Sequence, residues 1–253
     1  TTLYATFNLL GAATGLYSVA ISKGGVECVL TNAFRVVAGV GGKFYVRLIL
    51  PGAARAGRMV TAYIEYGNQG DANINAPLML LQATDPWTRL WSYGATNVPG
   101  AGTTNGPGAV NLNYLGVAQH SPIPAILPPY SRYRLAFRTS IASGTDSGNY
   151  RVSYIPTTAG GTLIYNELRD EVRPINPHPL WSNAWNKVVA DSGSSLGNYV
   201  RALGRAANRA KGFGLELISE QSLLTFLIQE AMEATQNAPI SGRVYLGNTN
   251  QPL

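Results

Sequence analysis

The run Gly193-Ser194-Ser195-Leu196-Gly197 has the G-x-S-x-G spacing of a nucleophile elbow, where a serine on a sharp strand-to-helix turn attacks an acyl carbon. That chemistry needs Asp or Glu and then His after the serine, and no histidine follows His178. The residues before the motif have helical periodicity, so Ser194 or Ser195 reads more plainly as a helix cap. His120, His178 and the single cysteine, Cys28, are too few and too scattered for a zinc site of nitrogen and sulfur ligands. Each histidine reads as a loop residue beside proline. Asp71 and its neighbouring asparagines suit an oxygen-only calcium site, but equally an Asx turn in which those side chains bond their own backbone. Gly39-Val40-Gly41-Gly42 is followed by a strand rather than a helix, which makes it a hinge and not a dinucleotide loop. No catalytic, cofactor-binding or metal-binding residue is assigned, and the expectation is a protein that is not an enzyme.

Binding chemistry is better represented. Arg201, Arg205 and Arg209 recur every four residues, so they form one basic ridge on a helix. Arg132, Arg134 and Arg138 alternate along a strand as a second ridge. Either could hold an acidic glycan or a phosphate. The plainer account is a solvated outer face, and the helical arginines could also meet Glu220, Glu230 and Glu233 across a bundle. Trp87, Trp91 and Tyr93 stand close together, as sugar-stacking aromatics do, although a strand face shared by Trp87 and Trp91 more often faces a core. These nine residues are the candidate glycan or polyanion contacts. The net charge of +6 is mild over 253 residues, and no specific nucleic-acid partner is expected.

The elements that would position these groups change along the chain. Hydrophobic residues make up 45% and charged ones 13%, enough to bury a core and too little charge for disorder. Glycine, proline and tyrosine crowd the part before residue 162, as short strands and tight turns require. Alternation predicts strands over Leu3 to Leu9, Leu16 to Ile21, Val26 to Leu30 and Phe34 to Val37. A fuller set follows: Phe44 to Leu50, Val60 to Tyr66, Leu78 to Gln82, Trp87 to Trp91, Val110 to Leu115, Arg132 to Thr139 and Tyr150 to Ile155. After Gly160-Gly161 the period becomes 3.6. Helices are predicted from Leu163 to Val172, from a cap at Ser182, from Ser195 to Lys211 before Gly212, and from Ser219. Trp181, Trp185, Tyr199 and Phe226 would centre this bundle. No apolar run reaches the ~20 residues of a membrane span.

Several stretches resemble modules of bacterial surface proteins. Gly15-Leu16-Tyr17-Ser18-Val19 and Leu30-Thr31-Asn32-Ala33-Phe34-Arg35-Val36 resemble the closing strands of IPT/TIG domains, over about 38 residues. Leu50-Pro51, Gly57-Arg58, Tyr63 to Asp71, Ala76-Pro77-Leu78 and Leu127-Pro128-Pro129 resemble a CARDB-type immunoglobulin-like module, in which Gly94 to Gly108 would be an added loop. The helical stretch resembles spacers in giant bacterial repeat proteins. Ile240 to Leu246, with Asn250-Gln251-Pro252-Leu253, resembles the opening of a carboxypeptidase-regulatory-like β module.

The resemblances imply a multi-domain, mainly β chain with immunoglobulin-like antiparallel sandwiches followed by a small helical bundle. The divisions are 1–39 (closing half of an IPT/TIG-like sandwich), 40–160 (CARDB-like sandwich), 161–238 (helical module) and 239–253 (first strand of another β module). Both ends read as cuts through a longer protein. The implied role is a structural or adhesive segment of a large bacterial extracellular or cell-surface protein. Alternatives are a filament subunit completed by strand exchange and a carbohydrate-binding module. Expected partners are neighbouring domains, identical subunits or a glycan, with no cofactor.

Overall fold

The computed structural model describes residues 7, 9, 11–92, 110–142 and 147–236. The chain falls into two compact units, Thr1–Gly41 and Gly42–Leu253. Among the described residues no helix is long and apolar enough to cross a membrane.

In the first unit, β1 (Gly15–Lys23) and β2 (Val26–Val36) pair as an antiparallel hairpin. Gly24 and Gly25 both take positive φ, 59° and 82°, which a two-residue turn matched to strand twist demands. The sequence predicts two strands where β2 is one. The register shifts between Tyr17 and Val19, and Asn32 opposite absorbs the irregularity at φ 55°, its N–H donating to Ser18 Oγ at 3.3 Å. Asparagine tolerates that left-handed geometry, so the strand bends there without ending. The predicted strand Leu3 to Leu9 lies largely outside the described residues. The expected four strands are therefore two among those described. Leu16, Ile21, Val26, Val29 and Leu30 are each at least half exposed on this hairpin.

The second unit contains all seven predicted strands: β3 (Phe44–Ile49), β4 (Val60–Asn68), β6 (Leu78–Ala83), β7 (Thr88–Ser92), β8 (Asn111–Leu115), β10 (Ser131–Ile141) and β11 (Tyr150–Ile155). Two short strands that alternation does not predict, β5 (Ile74–Asn75) and β9 (Ile126–Leu127), pair with each other. The others form a sheet ordered β3-β4-β10-β7 and a sheet ordered β11-β6-β8, antiparallel throughout. Alternate residues Ala62, Ile64 and Tyr66 of β4 and Phe137 of β10 meet Met79 and Leu81 of β6 and Tyr114 of β8 in one apolar cluster.

β6 differs from the other strands in having no polar face. Met79 and Leu81 enter that first cluster, while Leu78 and Leu80 join a second one. Its Leu-Met-Leu-Leu run has the composition of a strand buried on both sides. The second cover is helical: α1 (Tyr165–Val172), α2 (Trp181–Ser192), α3 (Leu196–Gly212) and α4 (Glu220–Gln236). Trp185, Val188, Val200, Leu203, Leu223 and Ile228 share one buried cluster with Leu78 and Leu115, and each such buried side chain contributes roughly 1.5–3 kcal/mol of transfer free energy. The sequence reading separates 161–238 from 40–160, whereas the structure joins them, because the outer face of β6 and β8 is the floor of the helical core.

Local signals fix the helices. Ser195 caps α3 by accepting from the Asn198 N–H at 3.2 Å, as its type predicts. Ser182 is not a cap: α2 starts one residue earlier at Trp181, after Leu180, whose N–H donates to His178 Nδ1 at 3.2 Å. Starting there lets Trp181 and Trp185 stack, with ring centroids 5.8 Å apart. Gly197 is required on α3, since a Cβ there would stand 2.5 Å from the Thr157 carbonyl oxygen.

A polar tie closes the joint between helices and sheet. Glu220, 7% exposed, accepts from Tyr199 Oη and from Asn113 Nδ2, both at 2.6 Å, linking α4 to α3 and β8. The Leu115 N–H donates to the Ile218 carbonyl at 2.8 Å, so the segment before α4 also covers the free edge of β8. Burial raises the Glu220 pKa above its ordinary 4.5, outweighing the hydrogen bonds from Tyr199 and Asn113. The folded chain therefore holds this proton more tightly than the unfolded chain, and stability is lost as pH rises above 4.5. Glu220→Gln, which cannot ionise, is expected to gain on the wild type between pH 4 and pH 7 in urea midpoints. A pH-independent difference would contradict this.

Candidate functional site

The outer face of the four-stranded sheet carries one of the two predicted arginine ridges. The register sets Arg47 of β3 and Arg134 of β10 directly across from Glu65 of β4, with Arg132 one same-face position along. Arg47 donates to Glu65 Oε1 through Nε at 2.7 Å and Nη2 at 2.6 Å, and Arg134 Nε donates to Oε2 at 3.0 Å. Arg132 Nη2 also donates to Oε2. The guanidinium groups leave the Glu65 side chain 1% exposed while remaining 54–60% exposed themselves. Desolvation works to raise the Glu65 pKa, but the bonds from Arg132, Arg134 and Arg47 prevail and bring it down to about 2. Arg132 and Arg134 are thus partly occupied by an internal anion, which sequence alternation alone did not reveal. The clue was present in Lys43, Tyr45 and Arg47 alternating beside Glu65. Arg138 lies further along this face, with Thr61 and Trp91 as its Cα partners.

The tryptophans do not share an exposed face. Trp91 in β7 is 7% exposed, whereas Trp87 lies before β7 in a turn, 42% exposed, with Nε1 donating to the Ser147 carbonyl at 3.3 Å. Asp85 builds that turn: Oδ1 accepts from the N–H groups of Trp87 and Thr88 at 3.2 and 2.7 Å, and Oδ2 from Asn149 N–H at 2.6 Å. Burial alone would raise the Asp85 pKa; the backbone bond from Asn149 and those at Thr88 and Trp87 lower it. Tyr93 and the loop Gly94 to Gly108 lie outside the described residues, as does the strand proposed within 239–253.

The second ridge, on α3, is split among three tasks. Arg209 grips Glu230 of α4 through Nε at 2.9 and 3.2 Å and Nη2 at 2.6 Å, the one contact across the helices that the sequence anticipates correctly among its three acids. Glu233 instead accepts from Gln229 at 2.9 Å. Arg201 donates to the Thr157 carbonyl at 2.6 Å and to Asn198 Oδ1. Among the described residues Arg205 makes one long bond, 3.4 Å, to the Asp191 carbonyl. Beside these last two arginines, between α3 and the β5–β9 pair, lies a cavity of about 180 Å³ that also reaches Asn75, Thr157, Gly204 and Asn208. Sequence spacing gave no sign of it, because its walls come from four separate segments of the chain.

The remaining motifs have structural duties. Gly193 ends α2 at φ 72° and Ser195 begins α3, so the G-x-S-x-G run is a helix-to-helix corner rather than a strand-to-helix elbow. Asn68 Oδ1 accepts from the N–H groups of Lys43 and Gly70 at 3.0 and 2.9 Å, while Nδ2 donates to the Ala72 carbonyl at 2.7 Å. Its carboxamide is the Asx-turn arrangement, engaged by backbone. His120 Nδ1 lies 3.6 Å from Glu216, which Lys211 also pairs at 2.5 Å. Cys28 is exposed on the hairpin. Among the described residues no three His, Cys, Asp or Glu gather as a metal centre would need.

No protein-family model matches this chain, and no curated protein matches it either. Glu65 gives the sheet-face cluster a pH signature. Its contribution is present above the ordinary value of 4.5 and is lost as pH falls through that value towards 2, because protonation releases three guanidinium groups. Glu65→Gln is expected to destabilise the chain most at neutral pH and least near pH 2, read from chemical-denaturation midpoints. An unchanged gap across that range would contradict the assignment.

Proposed function

We propose that this chain is a non-enzymatic structural and adhesive segment of a large bacterial extracellular or cell-surface protein. In this reading the two sheets of the second unit form an immunoglobulin-like β-sandwich, and the helices stiffen it from outside. The observation that carries the proposal is the use made of the buried carboxylates. Glu65 joins β3, β4 and β10; Asp85 joins the β6–β7 turn to the approach to β11; Glu220 joins α3, α4 and β8. Each is consumed in fastening separate elements together, and none lines the cavity beside α3. A catalytic carboxylate needs an open side towards substrate, whereas a load-carrying module needs its elements cross-tied. The sequence resemblances supply the cellular setting, and the exposed arginines supply a surface for contact.

Limited proteolysis separates this reading from a string of independent modules. Residues 37–43 are exposed and carry no regular structure, so cleavage there should release a resistant fragment. Cleavage at 156–164 should be slow despite Gly160 and Gly161, because both flanks belong to one core. Rapid parting of the β portion from the helices would count against a single stiff module.

A further inference from the structure

We propose that the cavity beside α3 binds a single acidic sugar unit, one bearing a carboxylate or a sulfate. The inference gives the adhesive half of the proposed function a ligand class. It starts from size: about 180 Å³ is below the roughly 300 Å³ at which pockets for drug-sized ligands begin, and suits one ring. Charge comes next. The lining includes Arg201 and Arg205 and no aspartate or glutamate, so an anion entering it meets two positive groups and no lining carboxylate.

Donor geometry sharpens this. A guanidinium carries five N–H donors, and among the described residues Arg205 commits to one bond of 3.4 Å, which leaves most of its fork to a carboxylate or sulfate. Arg201 is held in place by the Thr157 carbonyl and Asn198, which presets its position. Asn208 Oδ1 accepts from the Ala125 N–H at 2.9 Å, and only the oxygen can do so, which leaves its NH₂ as a fixed donor. Asn75 adds a carboxamide able to serve sugar hydroxyls either way, and Ala76 and Ile126 give an apolar wall for the C–H face of a ring. Gly204 lets α3 approach the β9 side of the cavity closely, since a Cβ there would stand 3.2 Å from the Ala125 side chain. A site for a bare inorganic ion would have no use for that wall.

The test is calorimetric titration of the full chain with four probes: a uronate-containing disaccharide, a sulfated disaccharide, a neutral disaccharide and inorganic sulfate. At least one acidic disaccharide should bind about tenfold or more tightly than the neutral one and than sulfate alone, the difference that a charge-assisted hydrogen bond supplies. Which acidic probe binds better tells the carboxylate from the sulfate. Arg205→Gln should weaken that binding about tenfold while the thermal midpoint holds, and Arg58→Gln, an equal loss of charge elsewhere, should not. Should Arg205→Gln fold poorly, Asn75→Ala carries the same expectation of weakened binding. Equal binding of neutral and acidic sugars, sulfate alone binding as well, no binding at all, or Arg205→Gln matching Arg58→Gln would each overturn the proposal. None of these results touches the proteolysis outcome, so failure of the site and failure of the scaffold reading are distinguishable.

Discussion

A strand with no polar face must be covered twice, and that requirement organises the larger unit of this protein. Leu78, Met79, Leu80 and Leu81 alternate between two apolar clusters, so β6 cannot lie at the surface on either side. The four-stranded sheet covers one face, and the helices cover the other. Leaving either face open would expose several large side chains, at roughly 25 cal/mol for each Å² of apolar surface. The helices are therefore part of the fold of the β portion rather than an attachment to it. The glycine and alanine residues along α3, with Gly197 against the Thr157 carbonyl, let the helix approach closely enough for that cover to be tight.

Polar contacts then fix the arrangement that burial favours. Burial itself does not specify which turn of α4 meets which residue of β8, whereas the hydrogen bonds of Glu220 to Asn113 and Tyr199 do. Glu65 plays the corresponding part on the outer face of the four-stranded sheet, with the opposite pKa shift. One carboxyl group is buried among neutral partners, and burial raises its pKa; the other is buried under three cations, and their hydrogen bonds lower it. The pair shows how the environment, rather than the residue type, sets the role of a glutamate.

Much of this was legible in the sequence, and the exceptions have physical causes. Period-two alternation located all seven principal strands of the second unit, and the 3.6 period located the four helices, since each pattern reports which face is buried. Ser195 as a cap and Gly24-Gly25 as a turn follow from local chemistry alone. What alternation could not report was the partner of each face. The unbroken apolar run in β6 is the sequence signal of a second covering layer, although it names no partner for that face. The arginine ridges were read correctly as ridges, but pairing with Glu65 and Glu230 depends on register and helix packing, which spacing within one segment does not encode. Alternation puts Trp87 and Trp91 on one strand face, but the Asp85 turn takes up Trp87 and β7 begins at Thr88.

The shared core is tested most directly by hydrogen exchange on the Leu203→Ala variant. Leu203 is fully buried in the helical cluster, and truncation there should cost about 2–5 kcal/mol. If the helices and the β11-β6-β8 sheet are one cooperative body, the slowest amides of β6 and β11 lose the same protection as those of α3. Loss of protection confined to the helices, with β6 exchanging as in the wild type, would contradict the account.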